Sequence, residues 1–552
     1  MKRPIVASGR RADSRAPSTG EDTELIAALS NPDFYPHHPA QVEVRETHIS
    51  RVFLAGELAY KLKKPLVLPF LDYGTPQRRR HMCREEVRLN RRLAEDIYLG
   101  VRSVASGDDG LHLAAEDDPQ AIDYLVWMRR YDERATLARK LTDGGAEKAL
   151  LESIDSLARL LVPFHERART VAGEGAGERA VRGRVEENIR ELLGLLGGSS
   201  AASERVRTLE RFTGAFLAGH AAELDGRAQG GRVVEGHGDL RAEHVLLDGP
   251  VRVLDCIEFD PRRRELDVAD ELAFLAMDLT MRGAESLARR LIDAYRDAGG
   301  DPGNEALVAF YACFRALVRA KVALLRVAQL EAPDAERRRQ SAAAEELLAL
   351  AERFAWRARL APVIAICGAP ASGKSTLAEA LSQVSGLPHL SSDEVRKEAA
   401  GLSPQQRAPL ALYGPQANRR TYAALGRLAA DEATRRGGHG GAIVDATFRH
   451  GEDRAAFLEA FTGRAPLLFV ECTAPLEVRL ERARHREAEP GRVSDASEAV
   501  VLDERHSWEP LSAISPAKRT ILDTDRPLDG QLADLAAWLD RRLGAGTPES
   551  AG

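Results

Sequence analysis

The chain has 552 residues, 44% apolar and 29% charged, with a formal net charge of −6, and that length calls for several hydrophobic cores rather than one. The charge balance excludes a basic footprint for nucleic acid and a polybasic membrane signal, and no apolar stretch approaches the ~20 residues that span a bilayer. Five cysteines (Cys83, Cys256, Cys313, Cys367 and Cys472) stand without C-x-x-C spacing, which argues against a disulfide framework or zinc site and fits a reducing cytoplasm.

Residues 1–20 carry charge but no apolar h-region, so they are not a secretory signal. Their Arg, Ser, Pro and Gly content predicts a disordered tail. Glu21 to Ser30 reads as a short helix ended by Asn31-Pro32. Val42 to Tyr73 is β-like, with a turn at Ala55-Gly56-Glu57. A helix follows from about Thr75 to Glu95, with Pro76 in its first turn. A further β segment includes Ala121 to Tyr131, and a long helical region from Ala146 to His220 is interrupted at Gly173 to Gly177. The stretch GRVVEGHGDLRAEHVLLDGPVRVLDCIEFD reads as a strand, a loop at His237 to His244 and a hairpin turning at Asp248-Gly249. Helices fill Val268 to Leu360. The composition shifts at Pro362, where VIAICG is the continuous apolar run expected of a buried parallel strand. Helix 374–385, strand IVDAT, helix 452–462, strand PLLFVECT and helix 475–487 then alternate as in a doubly wound α/β domain.

The strand VIAIC leads into Gly368-Ala369-Pro370-Ala371-Ser372-Gly373-Lys374-Ser375-Thr376, and a helix follows. This is the context a phosphate-binding loop requires. Glycines at 368 and 373 let backbone N–H groups turn inward, and the helix N-terminus adds positive charge. Lys374 would reach the β- and γ-phosphates of ATP, and the Ser375 hydroxyl would ligate Mg2+. Asp445, ending its strand, could hold that ion through water. Asp393, in HLSSDEVRK, would sit at the carboxyl edge of the sheet, where ligands bind. It could take a proton from an acceptor hydroxyl; a helix N-cap is its structural alternative. Arg479, Arg482 and Arg486 share one helical face, as a lid over the transferring phosphoryl group or as a plain solvated helix. Residues 362 to 540, with GAPASGKSTLAEALS, SSDEVRKE, AIVDATF and VECTAPLEVRLERARHRE, resemble the P-loop kinases related to gluconate kinase and the zeta-toxin-type kinases. That resemblance implies Asp393 as the base facing the acceptor and Arg454 as a recurring arginine of the following helix.

In the N-terminal half, His237-Gly-Asp239-Leu-Arg-Ala-Glu-His244, followed sixteen residues after Asp239 by Asp255, resembles the core of aminoglycoside phosphotransferase-like kinases. The resemblance covers residues 40 to 350 and is closest to a group in which this domain is fused to a P-loop ATP-binding protein. It implies Asp239 as the base and Asp255 on Mg2+. It also implies Lys61 on the α- and β-phosphates, with Lys63 as its rival, and Glu86 pairing that lysine, with Glu85 as its rival. Two features depart from that pattern. His244 stands where the family usually has Asn; it offers nitrogen in place of a hard oxygen, which suits softer metals such as Mn2+ or Zn2+ better than Mg2+. No glycine-rich loop precedes Lys61; THISRVFLAGE is a short substitute. Asp267 and Asp270 read as structural caps.

The expected architecture is multidomain. Residues 1–20 form the tail, 21–360 a protein-kinase-like α+β domain, 361–545 a P-loop α/β domain with a parallel sheet, and 546–552 a flexible end. The expected activity is a cytoplasmic tandem kinase that moves the γ-phosphate of ATP to a small hydroxyl-bearing acceptor. The rivals are an N-terminal sensor that regulates the P-loop kinase, and a regulatory ATPase acting on a protein partner.

Overall fold

The computed structural model describes residues 20–545, apart from 48, 69–70, 174–175, 199, 329–333, 361–362, 404–405, 407, 435–439, 463–465, 488–497 and 504–508. The expected N-terminal tail, the C-terminal end from 546 and the composition shift at Pro362 therefore lie outside the described residues. Packing divides the chain into two units. One joins the residues up to Ala172 with Gly231–Asp301; the other joins Gly173–Gly230 with the residues from Pro302 onward. Among the described residues no helix is long and apolar enough to cross a membrane.

The first unit is built on a six-stranded antiparallel sheet, in the order Val42–Glu46, Ser50–Ala55, Leu58–Lys63, Ala121–Arg129, Tyr98–Gly107, Gly110–Ala115. The turn expected at Gly56-Glu57 joins Ala55 to its partner Leu58, with Gly56 at φ 64°. Alternation along Leu58–Lys63 puts Lys61 and Lys63 on one face. That face meets the helix Pro76–Ala94, capped by Thr75, whose side chain accepts the Arg78 N–H. The buried stripe of this helix includes Arg79, Cys83, Glu86, Val87 and Asn90. Apolar members of the stripe pack with Ala59, Tyr124, Val126 and Met128 of the sheet. Arg79 is buried against Asp123 through two hydrogen bonds of 2.8 Å. Leu25 and Leu29, from the helix Gly20–Ser30, join Tyr35, Phe53, Tyr60 and Leu125 in a second cluster.

Two short ladders carry the sequence around His237. Val233–Glu235 pairs antiparallel with Glu265–Asp267, and Val245–Leu246 with Arg252–Val253. The hairpin does not turn on Asp248-Gly249 alone. Its register pairs Leu246 with Arg252, so five residues form the loop. Arg252 folds back onto the Asp248 carboxylate and carbonyl, which the wider loop permits. The helix Val268–Met281 is apolar on nearly every side and buried along most of its length, as a core helix must be. Asp267 caps it, accepting the Ala269 N–H, whereas Asp270 lies buried in its first turn and is not the cap.

The second unit holds a five-stranded parallel sheet in the order His389–Ser391, Ala442–Asp445, Val363–Cys367, Leu467–Thr473, Arg519–Asp523. All five residues of the central strand are buried. One apolar layer includes Leu377, Leu381, Leu535 and Leu539; the opposite layer includes Tyr422, Phe448, Phe457 and Phe469. The long helical region of the sequence breaks a second time in this unit. Between Glu178–Leu196 and Ala201–Gly219, Gly197 takes φ 76° and Ser200 caps the next helix.

Trp356, on the helix Asp334–Arg359, and Leu360 belong to the first apolar layer of the parallel sheet. Arg359 is paired with Asp540 at 2.6 Å, and its guanidinium lies over Phe212 at 4.6 Å. A Cβ on Gly219 would stand 1.7 Å from the Leu543 carbonyl oxygen, so backbones meet there without room for a side chain. These contacts carry an expectation for fragments. A piece beginning at 334 should be more stable than one beginning at 361 by about 3–5 kcal/mol, the loss typical of a deleted core aromatic. Urea unfolding of both fragments measures it, and equal midpoints would show that Trp356 and Leu360 contribute nothing to the sheet.

Candidate functional site

The central strand of the second unit delivers the chain to Gly368, at φ 143°. A Cβ there would lie 2.4 Å from the Cys472 carbonyl oxygen, so no other residue fits. Gly373, at φ 86°, is the N-cap of the helix Lys374–Ser385, and no side chain caps that helix start. Its first N–H groups and the positive helix end therefore face the loop, an arrangement made for phosphate. Lys374 Nζ donates to the Ala369 carbonyl at 3.1 Å, folding the ammonium across the loop.

Asp445 ends its strand beside the loop. Burial would raise its pKa, but the nearby His389 imidazole, the charge of Lys374 and the Ser375 hydroxyl bring it below the ordinary value. Lys374, Ser375 and Asp445 thus lie close together beside the loop. His389, with Nε2 3.6 Å from the Asp445 carboxylate, was missed by the sequence reading. Its only signal is its place at the head of the short strand before Ser391.

Thr524 Oγ1 donates to the Ser372 carbonyl at 2.6 Å, and Arg482 Nη2 donates to the Thr524 carbonyl at 2.6 Å. Arg482 is therefore anchored at the phosphate loop, with Nη1 3.4 Å from where a Gly373 Cβ would be. The Arg486 side chain lies outside the described residues. Arg454 is buried and donates to the carbonyls of Phe448, Glu509 and Pro510, so it fixes the loop after Asp445. Asp393 is not the N-cap: Ser391 caps the helix Ser392–Ala399 by accepting the Asp393 N–H. The Asp393 carboxylate accepts from Arg396 at 2.7 Å, and Arg396 lies over the Tyr413 ring.

In the first unit, Lys61 Nζ donates to Glu86 Oε1 at 2.8 Å and to Asp255 Oδ1 at 3.0 Å. Glu86, not Glu85, faces the strand; Glu85 pairs with Arg88. Lys63 is fully buried and donates to the other Glu86 oxygen at 2.6 Å and to Glu258. Asp255 sits at φ 64° and half-exposed, and the adjacent Lys61 charge holds its carboxyl well below the ordinary range. Asp255 offers an exposed oxygen, but among the described residues no group of three or more His, Cys, Asp or Glu could hold a metal ion, so a divalent cation there would need further oxygens from a nucleotide's phosphates. The sequence between the strands Val42–Glu46 and Ser50–Ala55 carries no glycine.

The Asp239 loop is held from beneath. Glu271 Oε1 accepts the N–H groups of His237 and Gly238, both at 2.7 Å, and Asp278 accepts that of Ala242 at 2.9 Å. These two carboxylates, seven residues apart on one face of the helix Val268–Met281, were not singled out in the sequence. Their signal was acidic residues on an otherwise apolar helix. The second Glu271 oxygen accepts from His165 Nε2. His237 donates from Nε2 to the Leu254 carbonyl and accepts the Asp239 N–H at Nδ1. Both Asp239 oxygens are occupied by Arg241, each at 2.8 Å. His244 Nδ1 donates to the Asp239 carbonyl at 2.7 Å, which leaves Nε2 as the acceptor. That nitrogen lies 3.3 Å from Arg241 and 3.8 Å from Asp255, so a cation bridging His244 and Asp255 would first displace Arg241.

The loop at the carboxyl edge of a parallel sheet defines a P-loop nucleotide-binding domain, and residues 363–511 match the family model of an AAA domain. Over 465 residues the chain is 33% identical to the uncharacterized proteins Rv2004c of Mycobacterium tuberculosis and Mb2027c of Mycobacterium bovis, covering 83% of this chain and 88% of each of those. The chain belongs to the family that these mycobacterial proteins represent. Among solved structures it is similar to a gluconokinase from Sinorhizobium meliloti 1021 (22% identity, 32% of this chain, 91% of that one, TM-score 0.25). It is also similar to a choline/ethanolamine kinase family protein from Mesorhizobium loti (15% identity, 59% of this chain, 99% of that one, TM-score 0.35).

The loop's support sets an acid limit. Burial pushes the His237 imidazole down to about 4 from 6.5. Glu271 is held at about 2: burial would raise it, but the His165 hydrogen bond and nearby imidazole charges outweigh that. Both shifts favour the fold above the unfolded-state values and are lost on acidification. His237 loses its share between pH 6.5 and 4, and Glu271 between 4.5 and 2. The unit should therefore lose about 2–3 kcal/mol between pH 7 and 4.5 through His237. Urea midpoints across that range should fall for the natural chain and stay flatter for His237→Gln; parallel curves would contradict the assignment.

Proposed function

We propose that the protein is an ATP-dependent phosphotransferase with two ATP sites, a kinase-like module in residues 21–360 and a P-loop kinase module in 361–545. The observation that carries this reading is the convergence of Lys374, Ser375 and Asp445 at the mouth of an uncapped helix start. Lys374 binds the β- and γ-phosphates, Ser375 and Asp445 would hold Mg2+, and Arg482 offsets charge on the group in transfer. Bound Mg2+ would neutralise phosphate charge. Asp393 takes the proton of a small acceptor's hydroxyl. In the first unit Lys61 meets the phosphates, Asp255 with His244 would hold the metal, and Asp239 faces the acceptor. Five free, buried cysteines support a reducing compartment such as the cytoplasm.

A second reading makes the N-terminal site a nucleotide sensor that controls the P-loop kinase. It is favoured by Arg241, which occupies both oxygens of the Asp239 base; an ion-paired carboxylate is a weaker base.

In the whole protein, Lys374→Ala should lower ATP consumption by roughly 10²–10³-fold, the range seen when one transition-state donor is removed. The assay offers sugars, aminoglycosides and nucleosides as acceptors. An unchanged rate would sink the P-loop assignment. Asp239→Asn separates the two readings: loss of transfer to one acceptor class supports a second kinase, and unaltered transfer to every acceptor supports the sensor.

A further inference from the structure

Lys63 touches neither phosphate nor acceptor in the proposed reaction, yet its ammonium is fully buried, with the side chain 0% exposed. An ammonium taken out of water needs charged partners to offset the lost hydration, and an apolar residue of similar size would commonly be no less stable. Its partners are two carboxylates with specific addresses. One is Glu86, the carboxylate that also holds Lys61. The other is Glu258, three residues beyond Asp255, which also accepts the Tyr73 hydroxyl at 2.6 Å.

We propose that Lys63, Glu258 and Tyr73 are positioning residues of the N-terminal nucleotide site. They lock Glu86 and the Asp255 segment together, so that a cation at Asp255 releases Lys61 toward the phosphates. This rests on the reading of that site as a nucleotide site.

The geometry gives the logic. Lys61 bridges Glu86 and Asp255, whose side chains are 1% and 55% exposed. Two lysines (61 and 63) face three carboxylates (Glu86, Asp255 and Glu258), which leaves one formal negative charge uncompensated. The exposed member, Asp255, is where a divalent cation carried in by the nucleotide's phosphates would meet that negative charge. Once Asp255 turns to the cation, Lys61 keeps only Glu86 and can pivot on it. Glu86 cannot follow, because its second oxygen stays on Lys63. Lys63 is in turn tied through Glu258 to the segment that carries Asp255. Nucleotide and cation would therefore bind with a mutual dependence that passes through a residue touching neither.

The test uses the full chain carrying Lys374→Ala, so that the P-loop contributes equally little in every variant. Binding of a fluorescent ATP analogue is titrated with and without Mg2+. Lys61→Met should weaken binding under both conditions. Glu258→Gln, and the charge-balanced pair Lys63→Met with Glu258→Gln, should lose roughly 10–100-fold of the Mg2+-dependent affinity, as outer partners of a metal site do. Mg2+-free binding should change little. If Lys61→Met weakens binding while Glu258→Gln keeps the parental Mg2+ dependence, Lys63 only fills the core and the proposal is overturned. If Lys61→Met itself changes nothing, the nucleotide reading of the site fails. Where the double variant does not fold, Glu258→Gln, isosteric and still hydrogen-bonded, decides between these outcomes.

Discussion

A buried charge must be given a partner, and this constraint organises both candidate sites. Removing a carboxylate or ammonium from water is offset only by close, well-aligned partners. Glu86 satisfies two lysines at once, and Glu271 satisfies two backbone N–H groups and a histidine. Each is buried, so each fixes the segments it joins. The helix Pro76–Ala94 is tied to the strand Leu58–Lys63, and the loop of Asp239 to the helix Val268–Met281. Asp255, exposed, and Asp239, partly buried, then project from a scaffold that cannot rotate away from them.

The two sites are built on different principles. The P-loop is nearly self-contained: one strand, one loop and one helix start supply most of its binding groups, and the backbone itself is the donor. Its few long-range supports are Thr524, which accepts from Arg482 and donates to the loop, and Asp445 from the neighbouring strand. The N-terminal site has no such local motif. Lys61 and Asp255 are 194 residues apart in sequence, and the site exists only because the sheet, one helix and two short ladders converge.

Both carboxylates read as proton acceptors are met by an arginine of their own segment, Asp239 by Arg241 and Asp393 by Arg396. Such a pair favours the ionised form and orients it, while reducing its appetite for a proton. The clamp on Asp239 is bidentate, whereas Arg396 gives Asp393 one hydrogen bond and another to Asn418. The same chemistry is therefore held more tightly in the first unit than in the second.

What the sequence determined follows from local physics. Period-two alternation, the Thr75 cap with Pro76, the Gly56-Glu57 turn and the apolar central strand each depend on neighbours in the chain, and each stands in the structure as read. Gly368 to Ser375 belongs with them, since a glycine-rich strand-to-helix turn needs little else. The tertiary structure decided what depends on distant partners. It chose Glu86 over Glu85, gave Lys61 the partly exposed place and Lys63 the fully buried one, and handed the cap from Asp393 to Ser391. It also placed Trp356 and Leu360 in the core of the parallel sheet and recruited Glu258, Glu271 and Asp278. A carboxylate on a helix looks alike in sequence whether it meets water or a buried lysine; only packing removes the water and makes the partner obligatory.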